Sequence, residues 1–342
     1  MLAVKPDVKP SRVVVFGSVN MDLVARVERF PRPGETITGD HFFTAPGGKG
    51  ANQAVAAARL GAQTRMVGRV GADTFGETLL DGLASQGVDI AGVIRDENSS
   101  SGVAMIEVTA SGENTIIVVP GANGRLERDD LDRLEVALDG ARVLLLQLEV
   151  PMSMVVEAAR LARERGVLVI LDPAPAQVLP DGLLELVDLI TPNESEAAAL
   201  VGFAINEPSE VARASKLLLE RGARGVLIKR GEHGVYWTDG RAEAFRPTFP
   251  VRALDTVAAG DAFNGGLAAA LAEGLEIGEA LDWGLATSAI SVTRSGAQPS
   301  LPDREEVIRL LADRSSPIQL GIDSSLAATP AGMQTATQGE TL

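Results

Sequence analysis

The segment Asp255-Thr256-Val257-Ala258-Ala259-Gly260-Asp261-Ala262-Phe263-Asn264-Gly265-Gly266 decides how the chain is read. Two acids bracket a run of small residues. Beyond them Phe263, Leu267, Ala270 and Leu271 recur at roughly helical spacing. The pattern predicts a tight turn at Ala258-Ala259-Gly260 that opens a helix. Free backbone N–H groups and the positive end of the helix dipole make such a turn a site for an anion. Small side chains let a phosphate reach the backbone, and Asp261 stands beside it in the first turn. A carboxylate there makes chemical sense if it faces a hydroxyl that attacks the phosphate. It then takes the hydroxyl proton while the N–H groups absorb the charge that develops on the transferred group. The other reading of Asp261 is an acid placed for the helix dipole.

Outward from this segment, Val13–Phe16 reads as a short buried strand ending at Gly17. Asn20, Met21 and Asp22 follow, at the edge where ligands sit in open α/β sheets. The glycines of a dinucleotide fingerprint are missing, which argues against a dehydrogenase. Asp22 either caps a turn or accepts hydrogen bonds from two adjacent sugar hydroxyls. Residues 24–44 are broken by Pro31, Pro33, Gly34 and Gly39, and the alternation in Glu35–Thr38 predicts strands. This stretch is expected to form an apolar β flap outside the main sheet, in need of a partner surface. Gly47-Gly48-Lys49-Gly50-Ala51-Asn52-Gln53 precedes a predicted helix over Ala54–Leu60. Its glycines mark either a hinge or close backbone approach to a ligand, and Lys49 and Asn52 add donors that suit hydroxyls. The spacing is not that of a Walker phosphate loop.

Arg65–Val70 reads as a strand, Phe75–Gln86 as a helix capped by Asp73, and residues 102–108 and 114–119 as a strand pair. From about residue 141 strands alternate with helices. Val143–Leu148 ends in Glu149, Pro151 starts helix Met152–Arg165, and Val167–Leu171 is followed by Asp172. Leu189-Ile190 precedes Asn193, and Gly225–Ile228 precedes Lys229. This order implies an α/β fold: a doubly wound, mostly parallel sheet flanked by helices, with polar groups along one rim. Taken alone, Glu149 is a surface acid, Asn193 and Glu196 form a capping box, and Gly231-x-x-Gly234 is a hairpin turn. Leu281–Val292 reads as an apolar helix whose C-terminus exposes carbonyl oxygens, which are hard ligands. Asp303–Asp313 reads as a closing helix. Residues 1–11 are expected to be a frayed arm and 315–342 a disordered tail.

Composition narrows the classes. The 342 residues are 45% hydrophobic and suffice for one large α/β domain or two small ones. A net charge of −15 argues against nucleic acid as partner, though not against a nucleotide held by backbone N–H groups and cations. There is no cysteine, hence no disulfide framework or thiol nucleophile, and His41 and His233 are the only histidines. No apolar run reaches membrane-spanning length, and the first residues lack a signal peptide's apolar stretch. A cytoplasmic protein is expected.

The run GGKGANQAVAAARLG at 47–61 and the segment Asp255–Gly266 resemble the two signatures of the ribokinase-like (phosphofructokinase-B) family of carbohydrate kinases. The resemblance spans roughly residues 12–312, and the first signature is in the version found with ribose. It implies a kinase domain over 12–314 with a small protruding β-sheet lid, drawn roughly from 20–46 and 100–122. It implies ATP-dependent phosphorylation of D-ribose at the 5-hydroxyl, with Asp261 as catalytic base. Carried over by position, Asn20, Met21, Asp22, Gly48, Lys49, Gly50, Ala51, Asn52, Glu149 and Asp261 would hold the sugar. Asn193, Lys229, Arg230, Gly231, Glu232, His233, Gly234, Ala259, Gly260 and Asp261 would hold ATP. Asn193 and Glu196 would organise Mg²⁺ through water. Asp255, Val257, Ser291, Arg294, Gly296 and Ser300 would hold an activating K⁺. Many relatives carry Asn near Leu285, against the adenine, and this chain departs there. A homodimer through the lid is also implied. The alternatives are a kinase of deoxyribose, another pentose or a nucleoside, and a sugar-binding regulatory protein that has lost catalysis.

Overall fold

The structure, a computed structural model, describes residues 12–315. The expected N-terminal arm, and the expected tail from residue 316 onward, lie outside the described residues. In chain order the strands are β1 (Arg12–Phe16), β2 (Asn20–Val27), β3 (His41–Gly47), β4 (Gln63–Gly71), β5 (Asp89–Asp96), β6 (Gly102–Thr109), β7 (Asn114–Val119), β8 (Val143–Leu146), β9 (Leu168–Leu171), β10 (Leu189–Ile190), β11 (Val226–Lys229), β12 (Val235–Thr238) and β13 (Glu243–Arg246). The α-helices are α1 (Lys49–Arg59), α2 (Thr74–Ser85), α3 (Arg128–Ala137), α4 (Met152–Glu164), α5 (Glu194–Val201), α6 (Pro208–Glu220), α7 (Ala259–Glu273), α8 (Ile277–Ser291) and α9 (Arg304–Ser315).

Nine strands form one sheet in the order β13-β12-β11-β10-β9-β8-β1-β4-β5. The run from β5 to β11 is parallel, and β12 and β13 close one side as antiparallel strands. Both faces are covered, which explains why the central strands are continuous apolar runs. Alternate residues of β1 enter different cores. Val13 and Val15 pack with α1, α2, α7 and α8, while Val14 and Phe16 pack with α3 to α6. The strand order reverses around β1, β8 and β4, so the carboxyl ends of β1 and β8 flank a crevice where loops diverge.

A second sheet has the order β3-β2-β6-β7. It is mixed: β2 pairs antiparallel with β3 but parallel with β6. Glu35–Thr38 is not a strand, contrary to its alternation. The Glu35 carboxylate takes N–H groups from the Arg29 guanidinium and the Arg32 backbone, which winds the segment into a turn away from any strand partner. The strands of this region lie on either side, in β2 and β3. Helix α1 starts at Lys49, well before the expected Ala54, because the Asn52 N–H already donates to the Gly48 carbonyl. Helices α8 and α9 start at Ile277 and Arg304, and α9 runs on to Ser315, the first residue of the expected tail. Among the described residues no helix is long and apolar enough to cross a membrane.

Candidate active site

The site is built where α1 and α7, which pack side by side, meet the rim of the large sheet. Gly265 of α7 makes the approach possible: a Cβ there would lie 2.4 Å from the Ala56 side chain. The turn before α7 forms as the small-residue run predicts. Ala258 is its N-cap at φ 59°, a left-handed conformation that costs a non-glycine residue roughly 1–2 kcal/mol. The Ala259 N–H bonds the Thr256 carbonyl, and Gly260 and Asp261 present the next first-turn N–H groups.

Asp261 is 5% exposed. Asn52 Nδ2 donates to its Oδ2 at 2.9 Å and Gln53 Nε2 to its Oδ1 at 3.0 Å. Burial pushes the Asp261 carboxyl up to about 6; Lys49 and the two amide donors oppose the shift and Asp172 adds to it. Asp22 is pushed up to about 7 by burial and by the charges of Glu149 and Asp261. Burial disfavours the Lys49 charge, yet Asp261, Asp172, Glu149 and Glu196 together hold its proton above the ordinary lysine range. Four acids around one cation make a site matched to several hydroxyl groups.

Glycines bring the other residues expected at the sugar together. Gly48, at φ 89°, lies so close to β2 that a Cβ would fall 2.7 Å from the Asn20 N–H nitrogen. At Gly47 a Cβ would fall 2.3 Å from Asp22 Oδ2. Glu149 accepts the Lys49 N–H at 3.0 Å and the Ser18 hydroxyl on the same oxygen. Asn20 accepts from Asn123 Nδ2 at 2.7 Å. Asn52 Oδ1 is buried without a hydrogen-bond partner among the described residues, a vacancy in the bonding that a ligand hydroxyl would fill. Met21 and Ala51 turn their side chains into the core, so each offers only backbone here. Gly50 is pressed against Ser18.

From Asp261 a cleft of about 340 Å³ runs across the rim. Its polar lining includes Lys49, Asp172, Glu196, Asn193 and Lys229, the turn Ala258–Gly260 contributes backbone, and Val235, Phe263 and Leu285 are its apolar lining. Gly231 and Gly234 also line it, as the turn between β11 and β12. Arg230, Glu232 and His233 do not. Arg230 turns to Glu194 of α5 instead, at 2.9 Å. Asn193 caps α5 and exchanges hydrogen bonds with Glu196, so the capping reading is correct and both residues still face the cleft. Burial raises Glu196 above the ordinary glutamate range, against the opposing charge of Lys229.

The six residues expected around K⁺ come together behind the turn. Asp255 accepts the Val257 N–H at 3.0 Å and the Gly296 N–H at 2.8 Å, and Leu254 and Asp255 donate to the Val292 carbonyl. Ser291 and Ser300 share a buried hydroxyl contact of 2.7 Å. The Arg294 side chain pairs with Glu306, so only its backbone could serve a cation here. A carboxylate tied to two loops, with hydroxyl and carbonyl oxygens at a helix end, is a donor set that suits a hard monovalent cation.

Sequence reading missed Gln53, Gln147 and Asn123 as site residues, and passed over Asp172. Gln147 and Asp172 directly follow β8 and β9, so the rim rule that marked Glu149 could have marked them.

The sequence profile of the pfkB family carbohydrate kinases matches residues 10–304. The chain belongs to that family. Among similar proteins, a ribokinase of Haemophilus influenzae is 42% identical over 299 residues, covering 87% of this chain and 98% of its own length. A deoxyribokinase of Salmonella typhi is 35% identical over 295 residues, 86% and 96% of the two chains. The structure of an Arabidopsis thaliana ribokinase complexed with ribose and ATP superposes with a TM-score of 0.83 at 34% identity, covering 88% and 99% of the two chains.

Proposed function

We propose that this member of the family transfers the γ-phosphate of ATP to the 5-hydroxyl of D-ribose. The observation that carries the reading is the buried Asp261, gripped by Asn52 and Gln53 and set in the first turn of α7 beside the anion turn. The ribokinase relatives and the ribose- and ATP-bound neighbour support the choice of both substrates.

In this mechanism Asn20, Asp22, Lys49, Asn52 and Glu149 hold the ribose hydroxyls. Asp261 accepts the proton of the 5-hydroxyl as its oxygen attacks phosphorus in line. A carboxyl raised to about 6 is still mostly ionised at neutral pH and is a better base than an ordinary aspartate. The N–H groups that Gly260 and Asp261 present in the turn and the ammonium of Lys229 take up the charge on the transferred group. The apolar lining with Leu285 would receive the base. Asn193, Lys229, Gly231, Gly234, Ala259, Gly260 and Asp261, all expected at ATP, line the cleft, which supports that role.

Mg²⁺ fits the cleft wall, because it takes few protein oxygens beside phosphate and water, and Asn193 and Glu196 supply an amide and an acid there. Among the described residues no cluster of three or more acidic or histidine groups could hold a metal by itself. When bound, Mg²⁺ neutralises phosphate charge. K⁺ at Asp255, Val257, Ser291, Arg294, Gly296 and Ser300 would order the turn without touching substrate. We take residues 12–314 as the kinase domain, with the four-stranded sheet as its lid. Phe42, Met105, Ile116 and Ile117 are exposed on that sheet, which supports a homodimer built through it. A cytoplasmic location would supply the ATP.

The test is ADP release against a pentose panel. Ribose-dependent ADP formation exceeding that with 2-deoxyribose supports the assignment. The reverse order moves it to deoxyribose, which the Salmonella relative favours, and absence of sugar-dependent ADP overturns it.

A further inference from the structure

Gln53 is fully buried and touches two carboxylates with one amide group. Its Nε2 donates to Asp261 Oδ1 at 3.0 Å and to Asp172 Oδ2 at 2.9 Å. Both amide hydrogens are thereby used, and neither acid can turn without losing one. The Gln53 orientation is itself fixed, since its Oε1 accepts from Gln147 Nε2 at 2.7 Å. Gly17 leaves room for Gln147: a Cβ there would sit 2.0 Å from Gln147 Oε1. The other oxygen of Asp172 accepts from Lys229 Nζ at 2.9 Å, and this pair is almost wholly buried. Lys229 Nζ lies beside the anion turn, 3.3 Å from where a Gly260 Cβ would be. One carboxylate thus joins the cation at the phosphate turn to the amide that aims the base.

We propose that Asp172 is a positioning residue of the phosphoryl transfer: acting through Gln53 it orients the Asp261 carboxylate, and on its other oxygen it holds Lys229 toward the anion turn. This rests on the kinase reading above. It follows from the acceptor count. A carboxylate offers one oxygen to each donor, whereas an amide offers one oxygen and one competing donor group. No neutral side chain of the same shape serves Gln53 and Lys229 together.

Asp172 also acts on Asp261 through its charge. The charged and titratable groups around Asp261 are Lys49 from α1, Asp172 after β9, Lys229 from β11, Glu196 from α5, Glu149 after β8 and Asp22 from β2. Asp172 is among those that favour a protonated Asp261, and Lys49 opposes it. Removal of the Asp172 charge should therefore let Asp261 ionise at lower pH while its aim is lost.

The experiment compares Asp172→Asn and Gln53→Met with the parent full-length chain, by kcat, by KM for ribose and ATP, and by the pH profile of turnover. Gln53→Met keeps the volume and removes the amide. For both variants kcat should fall roughly 10–100-fold with ribose KM within about threefold, as expected for a misaimed group. The acid limb should move down by on the order of one pH unit in Asp172→Asn. An acid limb that stays in place, or a loss confined to ribose KM, overturns the proposal. If Asp172→Asn does not fold, Gln53→Met decides by its kcat, and parent-like kcat there overturns the proposal. Absence of ribose-dependent ADP from the parent chain sinks the kinase reading with it, whereas parent turnover with an unmoved limb sinks only the role of Asp172.

Discussion

Asn52 Nδ2 lies 2.9 Å from Asp261 Oδ2, although 209 positions separate the two residues in the chain. The contact joins the first turns of α1 and α7. Both helices begin at special turns, one at Gly48 and the other at Ala258, each in a positive-φ conformation. The proposed sugar-side donors Lys49 and Asn52 and the proposed base Asp261 are therefore aimed by two helix starts rather than by loop side chains.

Asp261→Asn separates binding from chemistry. Asn presents one oxygen where Asn52 and Gln53 now both donate, so the helix contact weakens but persists through one donor. The proton acceptor is lost. We expect kcat to fall by about 10²–10⁴-fold while ribose affinity, measured by calorimetry, changes far less. Turnover close to that of the parent chain would remove Asp261 from the role of base.

The acid limb of turnover should lie near pH 6. Asp261 works as the ionised form, and burial raises its carboxyl to about 6. Protonation below that value removes the base, so the rate should fall as pH drops through it. An acid limb near the ordinary aspartate value of about 4 would mean that the Asp261 environment in solution is more polar than its burial implies. The ATP KM, measured at fixed free Mg²⁺ across the same pH range, serves as the control for ionisation of the nucleotide phosphates.

Much of this was legible before any coordinates. The buried strands and the anion turn follow from local pattern, and Asp73 caps α2 as its position suggests. What stayed hidden depends on distant partners. Strand β5 pairs with β4 across a register shift near Arg65, so its local alternation is weak. Strands β12 and β13 are four residues each, too short for periodicity to declare. Gln53 looks like one more polar residue of an alanine-rich helix. Its importance appears only when Asp172 and Asp261 arrive on either side of it. The hairpin reading of Gly231–Gly234 and the lining of the cleft hold together, because a turn between strands at the rim faces the same crevice.

Stability carries the opposite pH signature to that of activity. Burial and the neighbouring acids raise the Asp22 carboxyl in the folded chain to about 7, against an ordinary value of 3.8. The folded chain binds this proton more tightly than the unfolded chain. Its contribution is fully present below about pH 4 and is lost as pH rises through 7. Asp22→Asn should therefore raise the urea midpoint of the sugar-free protein, and by more at about pH 8 than at about pH 5. Equal gains at both values would show that Asp22 is well solvated in the unliganded state.

Ala258 tests the turn. At φ 59° it is the only non-glycine residue with positive φ among those described. Ala258→Gly relieves the strain but adds freedom to the unfolded chain, two effects of about 1 kcal/mol each that nearly cancel. Ala258→Val adds a β-branch to a left-handed position and a side chain to the anion turn. It should lower the melting temperature and raise ATP KM, while Ala258→Gly leaves the former nearly unchanged. Equal behaviour of the two variants would show that the turn relaxes freely.

The cation site gives the last prediction. Asp255 ties Val257, before the anion turn, to Gly296, after α8, through its two oxygens. A cation bound there would lower the cost of ordering the turn and so act on the phosphate side without reaching substrate. Activity of the parent chain should be higher in K⁺ than in Na⁺ at equal ionic strength, mostly through ATP KM or kcat rather than ribose affinity. Asp255→Ala should remove that difference and leave ribose binding, followed by calorimetry, near the parent value. The carboxylate also supports the two loops directly, so Asp255→Asn provides the sharper comparison: it keeps one acceptor for the Gly296 or Val257 N–H and loses the charge. If Asp255→Asn retains the full K⁺ preference, the cation binds elsewhere, and Asp255 serves only to tie the two loops.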